Sequence, residues 1–302
     1  MTIDSGGEYS GTYNIGEVIG DGAFGTVVLS RRKADGLETV TKHIKSSEVL
    51  ADCWIRCHRR GRMVPMEIHF LERLKHRNII NLVEIFESSY DYYLVTERRP
   101  AGIDLFNFLA RQPPMDEVLA SHIFRQVVSA VSYLNSLSIC HRDLKDENVI
   151  IDSNLHCVLI DFGSAAYFGE GIVFSSFSGS TVNQSPEIVR GELYLGPEVE
   201  VWSIGVLLYT LIHFDVPFRD EEDILNYNLT FSKEISEDLE DLIRGCLNPY
   251  VCLRYSIELA AKHPWTIFPV SVDSLLHHFR EAVPEEEDSS HFMNSFLAQI
   301  EI

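Results

Sequence analysis

The sequence predicts an α+β fold in two lobes, a small antiparallel β-sheet lobe followed by a larger, mainly helical lobe. Three observations carry this. From Tyr13 to Ile44 the apolar residues are β-branched or aromatic, and turns fall at Gly20, Gly22, Gly25 and Asp35-Gly36, as antiparallel strands joined by hairpins require. After Glu97 the apolar period changes to helical. Val199 to Phe214 is apolar nearly throughout, so it reads as a helix buried on most sides.

In order along the chain, Met1 to Ser10 is polar, and ordered structure is expected from about Tyr13. Ser46 to Val64 is polar and basic, punctuated by Gly61 and Pro65, and reads as a connecting insert. Met66 to Leu74 has helical spacing, with Ile68, Leu71 and Leu74 on one face. Ile79 to Phe86 and Tyr92 to Thr96 read as two more strands. Arg98 to Gly102 looks like a linker, so the first lobe is assigned residues 1–97 and the helical lobe residues 98–268. Within the second, Leu119 to Leu134 is strongly periodic, with Ile123, Val127, Val131 and Leu134 aligned. Val149 to Ile160 suggests two short strands; Leu239 to Leu247 and Ile257 to Ala261 suggest further helices. Residues 269–302 form an acidic tail with the run Glu285 to Asp288, and Phe292, Phe296 and Ile300 recur there at amphipathic spacing.

Composition narrows the function classes. The formal net charge of −20 repels nucleic acid and anionic lipid and attracts basic partners, though it also serves plain solubility. No apolar run is long enough to span a membrane, and the N-terminus lacks the pattern of a secretory signal. The six cysteines, Cys53, Cys57, Cys140, Cys157, Cys246 and Cys252, follow no framework and read as reduced thiols. Cys53, Cys57 and His58 have loose metal-ligand spacing, but no second pair completes a zinc site.

Four motifs carry chemistry. Gly20-Asp21-Gly22-Ala23-Phe24-Gly25-Thr26-Val27 fits G-x-G-x-x-G-x-V, where glycines let backbone approach phosphate oxygens. It lies between strands, whereas a Rossmann loop would open a helix. Val40-Thr41-Lys42 follows, with Glu67 placed to hold the lysine. His141-Arg142-Asp143-Leu144-Lys145-Asp146-Glu147-Asn148 matches H-R-D-L-x-x-x-N, and Asp161-Phe162-Gly163 follows it. Asp143 suits orientation of an attacking hydroxyl and acceptance of its proton. Asn148 and Asp161 are hard oxygen ligands suited to Mg²⁺, and Lys145 can balance charge on a transferred phosphoryl group.

These motifs resemble the protein kinases over about Tyr13 to Pro269. Glu48 to Trp54 (EVLADCW), Gly102 to Phe106 (GIDLF), Asp116 to Tyr133 and Leu159 to Tyr167 (LIDFGSAAY) resemble the PAS kinases in particular. The resemblance implies the bilobal protein-kinase fold and γ-phosphoryl transfer from ATP, with Mg²⁺, to protein serine or threonine. Lys145, two residues after Asp143, resembles the serine/threonine class. It also implies an adenine site with Val27 and Val40 above the ring, Ile150 below, Thr96 behind, and Glu97 and Arg99 offering hinge backbone groups. Asp104 falls where ribose hydroxyls or a basic substrate residue bind. Glu187 is expected to pair with Arg254 in a buried ion pair, and Glu200 stands in for an aspartate of the W-S-x-G helix. Arg142 is the expected partner of a phosphate on Ser175, Ser176 or Ser178, although an unmodified polar loop is the plainer reading.

PAS kinases carry upstream sensory PAS domains, for which this chain shows no matching segment. The expected substrate is a protein with basic residues upstream of the acceptor, and the expected compartment is the cytoplasm, with the nucleus as a second. Departures cluster at Ser178 to Glu187. Ser180 replaces a threonine, Asn183 an aromatic, and Ser185-Pro186-Glu187 stands for A-P-E. They leave two other readings open, a nucleotide-binding pseudokinase scaffold and a non-enzymatic interaction module built on the acidic surface.

Overall fold

The computed structural model describes residues 7–22, 25–57, 60–88, 91–175 and 183–281. Ala23 and Phe24 of the glycine motif, His58, Ser176, Ser178, Ser180, and the tail beyond Glu281 with its acidic run and apolar repeat lie outside the described residues. The chain divides into two compact units, Met1–Arg99 with Asp161–Ser164, and Pro100–Ile160 with Ala165–Ile302.

The first unit contains α1 (Gly7–Thr12), β1 (Tyr13–Gly22), β2 (Gly25–Arg32), β3 (Glu38–Lys45), β4 (Trp54–Cys57), β5 (Arg62–Pro65), α2 (Met66–Leu71), β6 (Leu82–Glu87) and β7 (Asp91–Glu97). Five strands form an antiparallel sheet in the order β1-β2-β3-β7-β6. The register sorts side chains by the period of two. Val27, Leu29, Val40, Lys42, Leu94 and Thr96 share one face; Val28, Ser30, Thr39, Thr41, His43, Tyr93 and Val95 share the other. The second face is buried. Its polar members satisfy one another, with Ser30 Oγ at 2.8 Å from Thr39 Oγ1 and 2.7 Å from Thr41 Oγ1.

Tyr9, ahead of the expected start near Tyr13, lies in α1 and is buried in this face. Its ring stacks on Tyr93 at 4.6 Å and on Tyr13 at 5.5 Å. The insert before α2 is not a plain connector, since it contains the antiparallel ribbon β4–β5. The α2 helix ends at Leu71 rather than Leu74, and Glu72 and Arg73 leave it as a turn.

The second unit contains β8 (Ile103–Asp104), α3 (Leu105–Ala110), α4 (Glu117–Ser136), β9 (Ile139–Cys140), β10 (Val149–Ile151), β11 (Cys157–Leu159), β12 (Ala166–Tyr167), α5 (Pro186–Val189), α6 (Gly196–His213), α7 (Glu221–Asn226), α8 (Glu237–Cys246), α9 (Ile257–Lys262), α10 (Pro264–Ile267) and α11 (Val272–Glu281). Asp116 caps α4 by accepting the Leu119 N–H at 2.8 Å, and Ile123, Val127, Val131 and Leu134 are buried as their spacing predicts. The α6 helix is buried almost all round. Its first residue is a glycine, Gly196, because a Cβ there would lie 2.3 Å from Cys140 Sγ on β9.

Glu187 and Arg254 form the expected pair, Nη1–Oε1 2.7 Å and Nη2–Oε2 2.9 Å, with side chains only 5% and 0% exposed. Arg254 also donates to the carbonyls of Asn248 and Glu198 and lies over the Trp202 ring, so each of its nitrogens is engaged. Among the described residues no helix is long and apolar enough to cross a membrane.

Candidate active site

The chemistry-bearing residues fall into two groups, one in each unit. In the first, Lys42 projects from β3 on the less covered face of the sheet. Its Nζ lies 2.8 Å from Glu67 Oε2 and 3.1 Å from Asp161 Oδ1. The position of Glu67 follows from local sequence. Pro65 closes β5 and, as the residue just before α2, turns the chain from strand into helix. Glu67 then falls on the buried side of that short helix.

One ammonium thus faces two carboxylates. Burial opposes the charge on Lys42, but Glu67 and Asp161 overcome it and hold the group above its ordinary value. Burial, helped by Asp161 and opposed by Lys42, pushes Glu67 up to about 7. Asp161 is the accessible member, its side chain 41% exposed, and its backbone sits in the left-handed region at φ 57°. Its Oδ1 also accepts the Gly163 N–H at 3.1 Å. The excess negative charge and an accessible carboxylate oxygen fit a hard divalent cation.

On the same face as Lys42, the part-exposed Val27, Val40 and Thr96 adjoin it by register, Val27 opposite Lys42 and Val40 opposite Thr96. Thr96 Oγ1 donates to the Val40 carbonyl at 3.4 Å. Gly20 pairs with Val27 and Gly22 with Gly25, which makes the motif the end of a hairpin. Gly25 is required by its neighbours. Its φ is 144°, and a Cβ there would lie 1.7 Å from the His43 carbonyl oxygen. Glu97 donates its N–H to Asn81 O at 3.0 Å, and its carboxylate accepts the Asn81 N–H at 3.3 Å and lies 3.7 Å from Arg99 Nη1.

In the second unit the segment between β9 and β10 is held from several sides. Buried His141 sets Nε2 at 2.9 Å from the Ile160 carbonyl and takes the Asp143 N–H on Nδ1 at 3.4 Å, which fixes the Nε2-protonated tautomer. Asn148 Nδ2 donates to Asp143 O at 2.8 Å and to Asp143 Oδ2 at 2.9 Å. This leaves the Asn148 amide oxygen free of that task and aims the Asp143 carboxylate. Lys145 Nζ lies 3.6 Å from Asp143 Oδ2 and 3.4 Å from Glu147 Oε2. Partial burial lowers the Lys145 pKa, but those two carboxylates carry it above the ordinary value. Ile150 lies on β10 opposite Asp104 of β8.

Beneath this segment Glu200 Oε1 accepts the backbone N–H groups of His141 and Arg142, the latter at 3.0 Å. Burial pushes the Glu200 carboxyl up to about 7 against the pull of those donors.

Some contacts are additional to those the sequence supplies. Asp104 caps α3, its Oδ1 accepting the Asn107 N–H and its Oδ2 the Asn107 amide, each at 2.8 Å; the spacing to Asn107 was the available signal. The Arg142 guanidinium lies 4.7 Å from the centroid of the Phe174 ring; the backbone of Phe174 pairs with that of Tyr194, and their ring centroids lie 5.6 Å apart. Nothing in the sequence marks Phe174 for this. Asp161 as a second partner of Lys42 was also not read from sequence.

Among the described residues no three His, Cys, Asp or Glu side chains are grouped to hold a metal ion.

Residues 13–266 match the family described as Protein kinase domain. The chain is 43% identical over 89% of its length to the PAS domain-containing serine/threonine-protein kinase of Mus musculus, of which it covers 19%. It is 40% identical over 84% of its length to the serine/threonine-protein kinase ppk6 of Schizosaccharomyces pombe, of which it covers 33%. It is 34% identical over 87% of its length to the serine/threonine-protein kinase pim-2 of Danio rerio, of which it covers 86%. The chain therefore spans a fifth to a third of the first two relatives and most of the third.

Proposed function

The chain belongs to the protein kinase family, and on that premise we propose that it transfers the γ-phosphoryl group of MgATP to serine or threonine hydroxyls of proteins. The observation that carries the reading is the Lys42–Glu67 pair at 2.8 Å with Asp161 at 3.1 Å, because a lysine so held is poised for nucleotide phosphates. Protein kinases generally use ATP and Mg²⁺. When bound, the metal neutralises charge on the phosphate oxygens, and Asp161 with Asn148 would hold it.

The chain's own residues divide the remaining work. Lys42 meets phosphate oxygens, and Glu67 keeps it extended. In the first unit Val27, Val40 and Thr96 would serve the base, with backbone groups of Glu97 and Arg99 for its edge; in the second, the family resemblance assigns Ile150 to the base and Asp104 to the ribose. Gly20, Gly22 and Gly25 let the β1–β2 hairpin approach the phosphates. Asp143 aims the acceptor hydroxyl and takes its proton, and Lys145 balances charge on the group in flight. Because the phosphoryl transition state is loose, positioning and electrostatics supply most of the acceleration.

Every group assigned a chemical role is present in the sequence, so the pseudokinase scaffold is not favoured. Glu147 and Asp104 support a preference for basic residues upstream of the acceptor, and the charge of −20 would steer such peptides inward.

The test is incubation with radiolabelled MgATP and a basic protein substrate, followed by phosphoamino-acid analysis. Phosphoserine or phosphothreonine, lost in Lys42→Met, is expected. A thermal shift with MgATP and no transfer would restore the scaffold reading, and phosphotyrosine would contradict the proposed class.

A further inference from the structure

Between Trp54 and Arg77 the sequence reverses the charge of the chain. Seven Lys or Arg stand there against two Glu, in a protein of net charge −20. The structure places the start of this stretch on the β4–β5 ribbon, where Trp54 lies opposite Pro65, Ile55 opposite Val64, Arg56 opposite Met63 and Cys57 opposite Arg62.

Cross-strand partners share a face, and faces alternate along each strand. Ile55, Cys57, Arg62 and Val64 therefore lie on one side, and Trp54, Arg56, Met63 and Pro65 on the other. The first side turns inward, with Cys57 and Val64 fully buried. Its cation is already engaged, since Arg62 pairs with Glu87. Arg60, in the turn, pairs with Glu72 at 2.6 Å.

On the second side Pro65 is buried and Trp54 half-buried, and the Arg56–Met63 pair faces outward. Arg56 is exposed and Met63 is 48% exposed. Trp54 Nε1 donates to the Val49 carbonyl at 3.4 Å, which ties to this side the segment carrying Leu50, itself 57% exposed. An exposed guanidinium, a flexible thioether, an indole and a leucine on one small surface make a mixed cationic and apolar face of the kind that takes up protein segments.

We propose that the outer face of the β4–β5 ribbon, built from Trp54, Arg56 and Met63 with Leu50, is a docking surface for an acidic protein segment that carries apolar side chains. Charge complementarity selects the acid, and Met63 and Leu50 select its apolar companions. An anionic bilayer is the poorer occupant. A broad charged plane meets the field of the whole −20 chain, which repels it, whereas a short segment meets the exposed guanidinium of Arg56 and the apolar side chains around it. Pro65 ends β5 and precedes α2, so an occupant of this face bears on the helix that carries Glu67. That consequence rests on the kinase reading; the docking itself does not.

The experiment is fluorescence anisotropy of a short fluorescein-labelled peptide rich in Glu with interspersed Leu, titrated with the whole chain. Arg56→Glu and Met63→Glu are each expected to weaken binding by about tenfold or more, the loss usual for a residue central to an interface. Arg77→Glu makes the same charge change outside the ribbon, and it is expected to leave affinity within about twofold, as for a remote screened charge. All three are surface changes, and equal melting temperatures verify that each variant is folded. No binding by the wild type, an equal loss in Arg77→Glu, or binding to phosphatidylserine vesicles in place of the peptide would each overturn the proposal. Because the readout is binding alone, none of these outcomes bears on phosphoryl transfer.

Discussion

Glu200 on α6 accepts the backbone N–H of Arg142 at 3.0 Å, and Arg142 holds φ at 64°, a left-handed conformation that a side chain resists. The carboxylate thereby fixes the chain immediately before Asp143. Glu200→Ala would leave the N–H groups of His141 and Arg142 bare in a buried place, at about 1–3 kcal/mol for each. The expected result is a lowered melting temperature together with a fall in kcat larger than any rise in KM for ATP, because Lys42 and Glu67 do not depend on this contact. An unchanged kcat would show that Asp143 is positioned without Glu200.

The buried pair of Glu187 and Arg254 gives a stability prediction. Truncating Arg254 strands a buried carboxylate, so Arg254→Ala is expected to cost about 3–5 kcal/mol in denaturant unfolding. A loss under about 1 kcal/mol would be the behaviour of an exposed pair.

The same pair predicts a pH dependence. Burial raises the Glu187 carboxyl, but the Arg254 hydrogen bonds outweigh it and leave the group below its ordinary 4.5. A carboxylate depressed in the folded state adds stability above its unfolded value and loses it as pH falls through the folded one. The stability gap between wild type and Glu187→Gln is therefore expected to be full at neutral pH and to close below pH 4.5. A gap constant down to low pH would contradict the charge-assisted pair.

Lys42→Met removes the group that restrains Glu67. Burial and Asp161 already push Glu67 up to about 7, and without the ammonium it rises further. A raised carboxyl contributes stability at low pH that is lost as pH rises through its folded value. Melting temperatures of wild type and Lys42→Met are therefore expected to lie close together near pH 6 and to diverge toward pH 9, the variant falling more. Parallel curves would show that Glu67 is not electrostatically tied to Lys42.

Much of this was legible in the sequence. The strands bearing Val27, Val40 and Lys42 announced themselves through β-branched runs between turns, and α4 and α6 through periodicity and unbroken apolar content. What escaped depended on tertiary partners. The β4–β5 ribbon has strands of four residues with arginines at Arg56 and Arg62, so its pattern reads as polar connector. Tyr9 sits in a Gly- and Ser-rich stretch that looks like linker, and only the stack on Tyr93 reveals it as core. Asp161 meets Lys42 across 119 residues of sequence, a distance no local pattern spans.

Substrate choice is tested on a positional-scanning peptide array with wild type and Glu147→Ala. Glu147 is half exposed and its carboxylate lies 3.4 Å from Lys145, so it can read an arginine near the acceptor. A preference for basic upstream residues that weakens in the variant is expected. A preference for acidic or proline-flanked sites, or no change in the variant, would refute it.

In the proposed reaction, phosphoryl transfer rests on Asp143, whose Oδ2 Asn148 holds at 2.9 Å. The most direct measurement is single-turnover transfer from radiolabelled MgATP to a serine-containing basic peptide, comparing wild type with Asp143→Asn at saturating nucleotide. The account predicts transfer by the wild type and a loss of about 100-fold or more in the variant, at the scale of positioned proton acceptance, with MgATP affinity little changed. Equal rates in the two proteins, or no transfer by a wild type that binds MgATP, would contradict it.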